Sequence, residues 1–107
     1  MFVPEKGDVV WLNFEPQKGK EIQKTRPAVV LSPSNYNLKT GLALFVPITS
    51  KVKGYPFEVI INDKAINGVV LCDQIRSMDW KARKANKIYS LDKKTIENIL
   101  YKLKLLL

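Results

Sequence analysis

The chain has 107 residues, with 18 Lys and Arg against 10 Asp and Glu for a net charge of +8. That length predicts one domain with one core, spanning residues 1–107, and the charge points to a polyanionic partner such as nucleic acid or an acidic protein segment. Cys72 is the single cysteine and histidine is absent, which excludes an internal disulfide, a two-histidine nuclease and histidine-ligated zinc.

In chain order, short β-type runs alternate with turn residues. Asp8 to Phe14 follows Gly7 and sets Val9, Trp11 and Asn13 on one face, with Val10, Leu12 and Phe14 on the other. Glu15 to Thr25 is polar and holds Pro16, Gly19, Lys18, Lys20, Glu21 and Lys24; it reads as a long hairpin loop, a length often tied to function. Ala28 to Leu31 is continuously apolar and reads as a buried strand. Ser32 to Gly41, with Pro33, Asn35 and Asn37, is a turn or a short helix. Leu42 to Pro47 is a third strand leading into Ile48, Thr49 and Ser50, and Lys51 to Gly54 is a basic turn. Phe57 to Ile61 is a fourth strand, Asn67-Gly68 a turn, and Val69 to Cys72 a fifth strand extending to Ile75. Met78 to Arg83 reads as a helical turn and Ala85 to Tyr89 as a short strand.

The period then changes. Ile96, Ile99, Leu100, Leu103, Leu106 and Leu107 fall at helical spacing. Ser90 is the expected N-cap, with Asp92 in the first turn and Lys102 and Lys104 near the end, each suited to the helix dipole. This helix is expected to pack on the β structure, with a membrane-surface role as the alternative for its Leu105-Leu106-Leu107 end. The pattern as a whole suggests a small barrel or sandwich. MFVPEKGDVV lacks the basic-then-apolar order of a signal peptide, and no run approaches the ~18 apolar residues of a membrane span. A cytoplasmic protein away from the membrane is expected.

Four segments stand out together: Gly7-Asp8-Val9-Val10-Trp11 with Phe14, Pro16, Lys18-Gly19 and Glu21; Arg26-Pro27-Ala28-Val29-Val30-Leu31-Ser32-Pro33; Val46-Pro47-Ile48-Thr49-Ser50 with Lys53-Gly54-Tyr55-Pro56-Phe57-Glu58-Val59; and Asp73-Gln74-Ile75-Arg76-Ser77-Met78-Asp79-Trp80 with Arg83. In this order and spacing they resemble the MazF/PemK family of toxin endoribonucleases over nearly the whole chain. The resemblance implies a mainly β fold with short helices: a small, SH3-like, strongly bent antiparallel β-barrel with a packed C-terminal α-helix. It implies a homodimer whose two-fold interface shapes an RNA groove, and an acidic, MazE-like antitoxin as partner. It also implies a sequence-specific, ribosome-independent messenger-RNA-cleaving enzyme. Its reaction is transesterification, in which the ribose 2′-OH attacks the adjacent phosphorus and leaves a 2′,3′-cyclic phosphate and a 5′-OH. Such a reaction takes its nucleophile from the substrate. No cofactor is expected, because histidine is absent and the carboxylates are scattered without the pairing that holds Mg²⁺.

Arg26 closes a polar loop and opens a buried strand, and Pro27 restricts its backbone to extended geometry. A strand-held guanidinium grips phosphate through its planar fork, or else pairs with a structural carboxylate; the resemblance makes it the central catalytic arginine. Thr49 ends a strand, where its hydroxyl either donates to a phosphate oxygen gaining charge or satisfies turn backbone. The resemblance again favours catalysis. Arginine stays protonated at neutral pH and is a poor base, so Glu21, which matches a family glutamate, is the candidate base unless it is merely solvated.

RNA contacts are assigned to Asn13, Phe14, Lys18, Lys20, Lys24, Ser50, Lys53, Gln74, Arg76 and Arg83. Tyr55 is a candidate for stacking on unpaired bases, Phe14 and Trp80 are stacking or core residues, and Trp11 and Phe57 are expected in the core. The chain departs from the family loop pattern at Ile22 and Lys24, where Gln and Gly are usual, and Asn13 stands where some relatives have Asp. The rival readings are a non-catalytic, gyrase-binding toxin of the CcdB kind and a plain RNA-binding barrel.

Overall fold

Strands that are apolar on both faces must be covered on both faces, and three adjacent strands of this chain are of that kind. In the computed structural model, residues 2–15, 24–63 and 65–107 are described. Seven strands and two helices run in the order β1 (Asp8–Glu15), β2 (Lys24–Val30), α1 (Ser34–Thr40), β3 (Leu42–Thr49), β4 (Glu58–Asn62), β5 (Asn67–Leu71), β6 (Arg76–Asp79), β7 (Asn86–Ser90) and α2 (Lys93–Lys104). Every pairing is antiparallel, with β4-β5-β3-β2-β1-β7 along the sheet and β6 joined to β3. The result is the mainly β, barrel-like fold expected, with a helix packed at the C-terminal end.

Strand β3 organises the sheet. Its first half pairs with β6, from Leu42 opposite Asp79 to Phe45 opposite Arg76. Its last two residues pair with β5, Ile48 opposite Val70 and Thr49 opposite Val69. Strand β2 lies against its middle, from Val30 opposite Phe45 to Ala28 opposite Pro47. One strand therefore passes from one part of the sheet to the other, and its far end carries Thr49 to the place where the two parts diverge.

The apolar residues gather in two clusters rather than the single core expected. One joins Val9, Val29, Leu31, Val46, Ile48, Val59, Ile61, Ile66, Val70, Cys72 and Ile99. The other joins Val10, Leu12, Phe14, Ala28, Val30, Ala43, Phe45, Met78 and Trp80. Alternation along β1, β2 and β3 feeds both, because successive residues such as Val9 and Val10 point to opposite faces. The clusters are the two sides of one sheet and share its backbone.

Helix α2 covers the first cluster through Ile99, Leu100 and Leu103, while Leu106 and Leu107 are exposed. Its cap is Asp92, not Ser90, which is the last residue of β7; Asp92 accepts from the Thr95 backbone N–H at 3.1 Å. Gly7 makes the close approach between α2 and the chain entering β1: its φ is +92, and a Cβ there would lie 2.4 Å from Ile96 Cδ1. On the other side, Asn37 in α1 is fully buried and clips the second cluster. Its amide donates to the carbonyls of Pro4 and Ser32 at 2.8 and 3.0 Å, and its own carbonyl accepts the Trp80 indole N–H at 2.9 Å.

Several local expectations change. Asn67 and Gly68 lie in β5 rather than in a turn, and β5 ends at Leu71 before a single 3-10 turn at Cys72–Gln74. The expected helical turn from Met78 begins as strand β6, held by β3, and only the segment after Asp79 turns. Strand β2 starts at Lys24, earlier than the apolar run suggests, because β1 extends to Glu15 opposite it. Trp11 is 40% exposed and is not a core residue; its strand position is paired with Pro27 on one side and Asn86 on the other. No helix among the described residues is long and apolar enough to cross a membrane.

Candidate active site

The two candidate catalytic residues sit near the ends of neighbouring strands. The β2–β3 pairing closes at Ala28 opposite Pro47, and Arg26 and Thr49 each lie two residues beyond it along their own strands. Both line a cleft of about 610 Å³, together with Pro27, Ile48, Ser50, Lys51, Ala65, Ile66 and Asn67. Arg26 is exposed, and the one ion pair among the described residues joins Lys87 to Asp8 at 3.3 Å. No described carboxylate neutralises Arg26.

The Thr49 hydroxyl accepts the Lys51 backbone N–H at 3.3 Å. It satisfies turn backbone, as one of its two readings held, and this use leaves its single hydrogen available to the cleft. Gly68 lets the backbone come close here: a Cβ at that position would stand 2.4 Å from the Thr49 carbonyl oxygen. Thr49 and Lys51 also line a smaller recess of about 140 Å³ with Lys53, Tyr55, Glu58, Leu71 and Gln74. The Tyr55 phenol donates to the Asp73 carboxylate at 3.1 Å, and desolvation first, then this bond, holds its pKa above the ordinary value.

The structure thus gathers Arg26, Thr49, Ser50, Lys53 and Gln74 at two adjoining depressions. Arg76 approaches from β6 with its guanidinium 6.0 Å from the centroid of the Phe14 ring, a cation–π distance. Phe14 itself is only 7% exposed, so it is a floor beneath Arg76 and not a stacking surface for bases. Trp80 is 4% exposed with its N–H already bonded to Asn37, and is likewise a core residue. Asn13 is buried and bonded. Arg83 also serves the fold: one nitrogen of its guanidinium donates to the carbonyls of Asn13 and Phe14, while the Asn13 N–H donates to the Arg83 carbonyl at 3.0 Å. It secures the end of β1. Lys18, Lys20 and Glu21 lie outside the described residues, as does the side chain of Lys24.

Two cleft residues stand outside the contacts assigned from sequence. Lys51 belongs to the Lys51–Tyr55 loop, which the sequence marks for RNA specificity without assigning Lys51 itself a contact, although its place next to Thr49-Ser50 is the signal for one. Asn67 was read as part of a turn, and only the pairing of β5 with β3 brings it to the cleft. Burial pushes the Cys72 thiol up to about 11, so it supplies no nucleophile. Among the described residues, no three Cys, Asp or Glu side chains come together as a metal-binding group.

A family model described as the PemK-like, MazF-like toxin of type II toxin–antitoxin systems matches residues 5–107. The endoribonuclease toxin MazF of Escherichia coli K12 is 52% identical over 86 residues, which cover 80% of this chain and 78% of that protein. The endoribonuclease toxin ChpB of the same strain is 35% identical over 105 residues, covering 92% of this chain and 90% of that one. Among solved structures, a MazE–MazF crystal form from Deinococcus radiodurans contains a chain that superposes with a TM-score of 0.92 at 45% identity, covering 99% of this chain and 96% of that chain.

Proposed function

The chain belongs to the PemK-like, MazF-like toxin family of type II toxin–antitoxin systems, and on that premise we propose that it is a metal-independent endoribonuclease that cuts single-stranded RNA by transesterification between Arg26 and Thr49. The observation that carries this reading is that Arg26 of β2 and Thr49 of β3 line one cleft. The residues 1–107 act as one toxin domain, and the reaction needs no ribosome.

In this mechanism the RNA backbone enters the cleft with the scissile phosphate against the Arg26 guanidinium. The ribose 2′-OH loses its proton to a base and attacks phosphorus. The new P–O2′ bond closes a cyclic phosphate as the P–O5′ bond breaks, and the 5′ oxygen leaves with a proton. Arg26 stabilises charge on the non-bridging oxygens. The Thr49 hydroxyl, already an acceptor from Lys51, donates to the same phosphoryl group. Glu21 is assigned as base. Arg26 is also positioned by its chemistry to protonate the leaving oxygen. Lys51, Lys53 and Arg76 hold neighbouring phosphates, and Ser50 and Gln74 contact the strand beside them.

The partner is an acidic antitoxin segment laid along the same basic cleft, to which its charge is complementary. The active form is a homodimer acting in the cytoplasm. An apolar depression supports self-association: β4 ends the sheet, and Ile60 and Val52, 71% and 60% exposed, line one shallow hollow of about 400 Å³.

The experiment is incubation of the purified protein with single-stranded RNA in excess EDTA. Cleavage at defined sites, abolished by Arg26→Ala, is expected; an inert wild-type protein, or one that the substitution leaves fully active, would overturn the enzymatic reading in favour of a non-catalytic binder.

A further inference from the structure

Two charged side chains are buried among the described residues, Asp8 and Glu58. Asp8 has Lys87 as its ion-pair partner. Glu58 pairs with no described cation through its carboxylate; instead its two oxygens accept the backbone N–H groups of Lys53 and Gly54 at 3.1 and 2.8 Å. A carboxylate taken out of water must recover its lost hydration from such donors. What it gains, the turn gains too: two N–H groups of an otherwise exposed segment are fixed, next to Gly54 with φ of +80. From the other side, Lys102 of α2 donates its ammonium to the Glu58 backbone carbonyl at 2.8 Å. The Glu58 position is therefore held by the body of the protein, while its carboxylate holds the turn.

That turn reaches back to the reacting groups. Lys51, two residues before Lys53, supplies the N–H that the Thr49 hydroxyl accepts. We propose that Glu58 is a positioning residue for RNA cleavage: it acts through the Lys51–Gly54 segment to set the Thr49 hydroxyl. It also fixes the wall of the recess that Thr49, Lys51, Lys53 and Gln74 line beside the cleft. This rests on the reading of Thr49 as a donor to the scissile phosphate. The role is invisible to motif spacing, since Glu58 touches only main-chain atoms of the turn.

Loss of the carboxylate leaves two N–H groups without their acceptor, and the segment relaxes toward solvent. Small displacements of a catalytic group reduce rate by up to about 10²-fold. The loss in kcat comes through Thr49, and a rise in KM accompanies it because Lys51 and Lys53 lie in the same segment.

A double-mutant cycle tests this: wild type, Glu58→Ala, Thr49→Val and the double variant. Each is assayed for kcat and KM on single-stranded RNA, and the Lys51 backbone amide is followed by NMR. Glu58→Gln, which keeps one acceptor, runs through the same cycle and carries the test if Glu58→Ala fails to fold. The expected result is a kcat loss of roughly tenfold or more for Glu58→Ala, a smaller loss for Glu58→Gln, and little further loss in the Thr49→Val background, with the Lys51 amide shifted in both Glu58 variants. Losses that multiply, or a Lys51 amide that does not move, overturn the proposal. If the wild-type protein cuts no RNA, the functional reading falls by itself, and the Lys51 amide alone decides the positioning claim.

Discussion

Thr49 does two things with one oxygen. As an acceptor it ties down the Lys51 N–H, and as a donor it faces the cleft that Arg26 shares. Its position depends on a third residue with no functional atom: Gly68 leaves room for the Thr49 carbonyl, where a Cβ would stand 2.4 Å away. That neighbour is backbone and cannot rotate aside. Gly68→Ala therefore pushes the end of β3 outward, and overpacking of this kind costs about 1–3 kcal/mol. The expected outcome is a lower thermal midpoint together with a kcat loss larger than the change in RNA affinity; wild-type kcat in a folded Gly68→Ala protein would contradict it. At this scale type and place alone leave two readings for Arg26 before Pro27 and for Thr49 at a strand end; the family resemblance singles them out, and the structure brings both to one cleft. Phe14, Trp80 and Arg83 did not disclose their roles, because whether an aromatic ring or a guanidinium is spent on the protein's own interior depends on partners distant in sequence, here Arg76, Asn37 and the carbonyls of Asn13 and Phe14.

At the scale of elements, helix α2 is fixed to the sheet through Ile99 and by the Lys102 bond to the Glu58 carbonyl. Its N-terminus is capped by Asp92, whose carboxylate accepts from the Thr95 N–H and, at 2.5 Å, from the Thr95 hydroxyl. The side-chain bond to Thr95 is the main reason its pKa lies below the ordinary 3.8, with the backbone bond adding to it. A carboxyl whose folded pKa is depressed stabilises the folded state above its ordinary value and loses that contribution as pH falls through the folded value. Acid titration is expected to fray the first turn of α2 below that ordinary value, seen as a loss of helical circular dichroism. Asp92→Asn keeps the acceptor and should remove this Asp92-specific component, while an unchanged acid profile would contradict the assignment. The period of α2 and the apolar run of β2 were legible because they report burial directly. Asn67-Gly68 and Met78 were misread for a common reason: turn chemistry and local pattern are weaker than a waiting partner strand, and β3 pairs with both β5 and β6. Ser90 and Asp92 are both good capping types, and the pairing of Ser90 with Asp8 leaves the cap to Asp92.

At the scale of the molecule, the net charge of +8 includes Arg26 and Lys51 at the cleft, Lys53 at the recess beside it and Arg76 on β6, the four cations that the proposed function sets against RNA. Neutralising about four phosphates on a single strand gives log affinity against log salt a slope near −3. Binding of an uncleavable RNA across a salt series is expected to give that slope, and Lys53→Ala should reduce it by somewhat less than one; a flat profile would show that the basic face is only a solvated surface. The fold was legible at this scale through the run of short strands and the change of period, while β6 and the pairing of β3 with β2, β5 and β6 were not, since one strand serving three neighbours leaves no mark in its own sequence.

The most direct measurement uses an RNA in which the ribose 5′ to one cleaved bond is replaced by 2′-deoxyribose, leaving a second cleaved bond in the same strand intact. With the nucleophile supplied by the substrate and the charge held by Arg26 and Thr49, cleavage should cease at the modified bond alone. The intact bond should still yield 2′,3′-cyclic phosphate and 5′-OH ends. Cleavage at the deoxy position, or 5′-phosphate ends at either bond, would contradict the account.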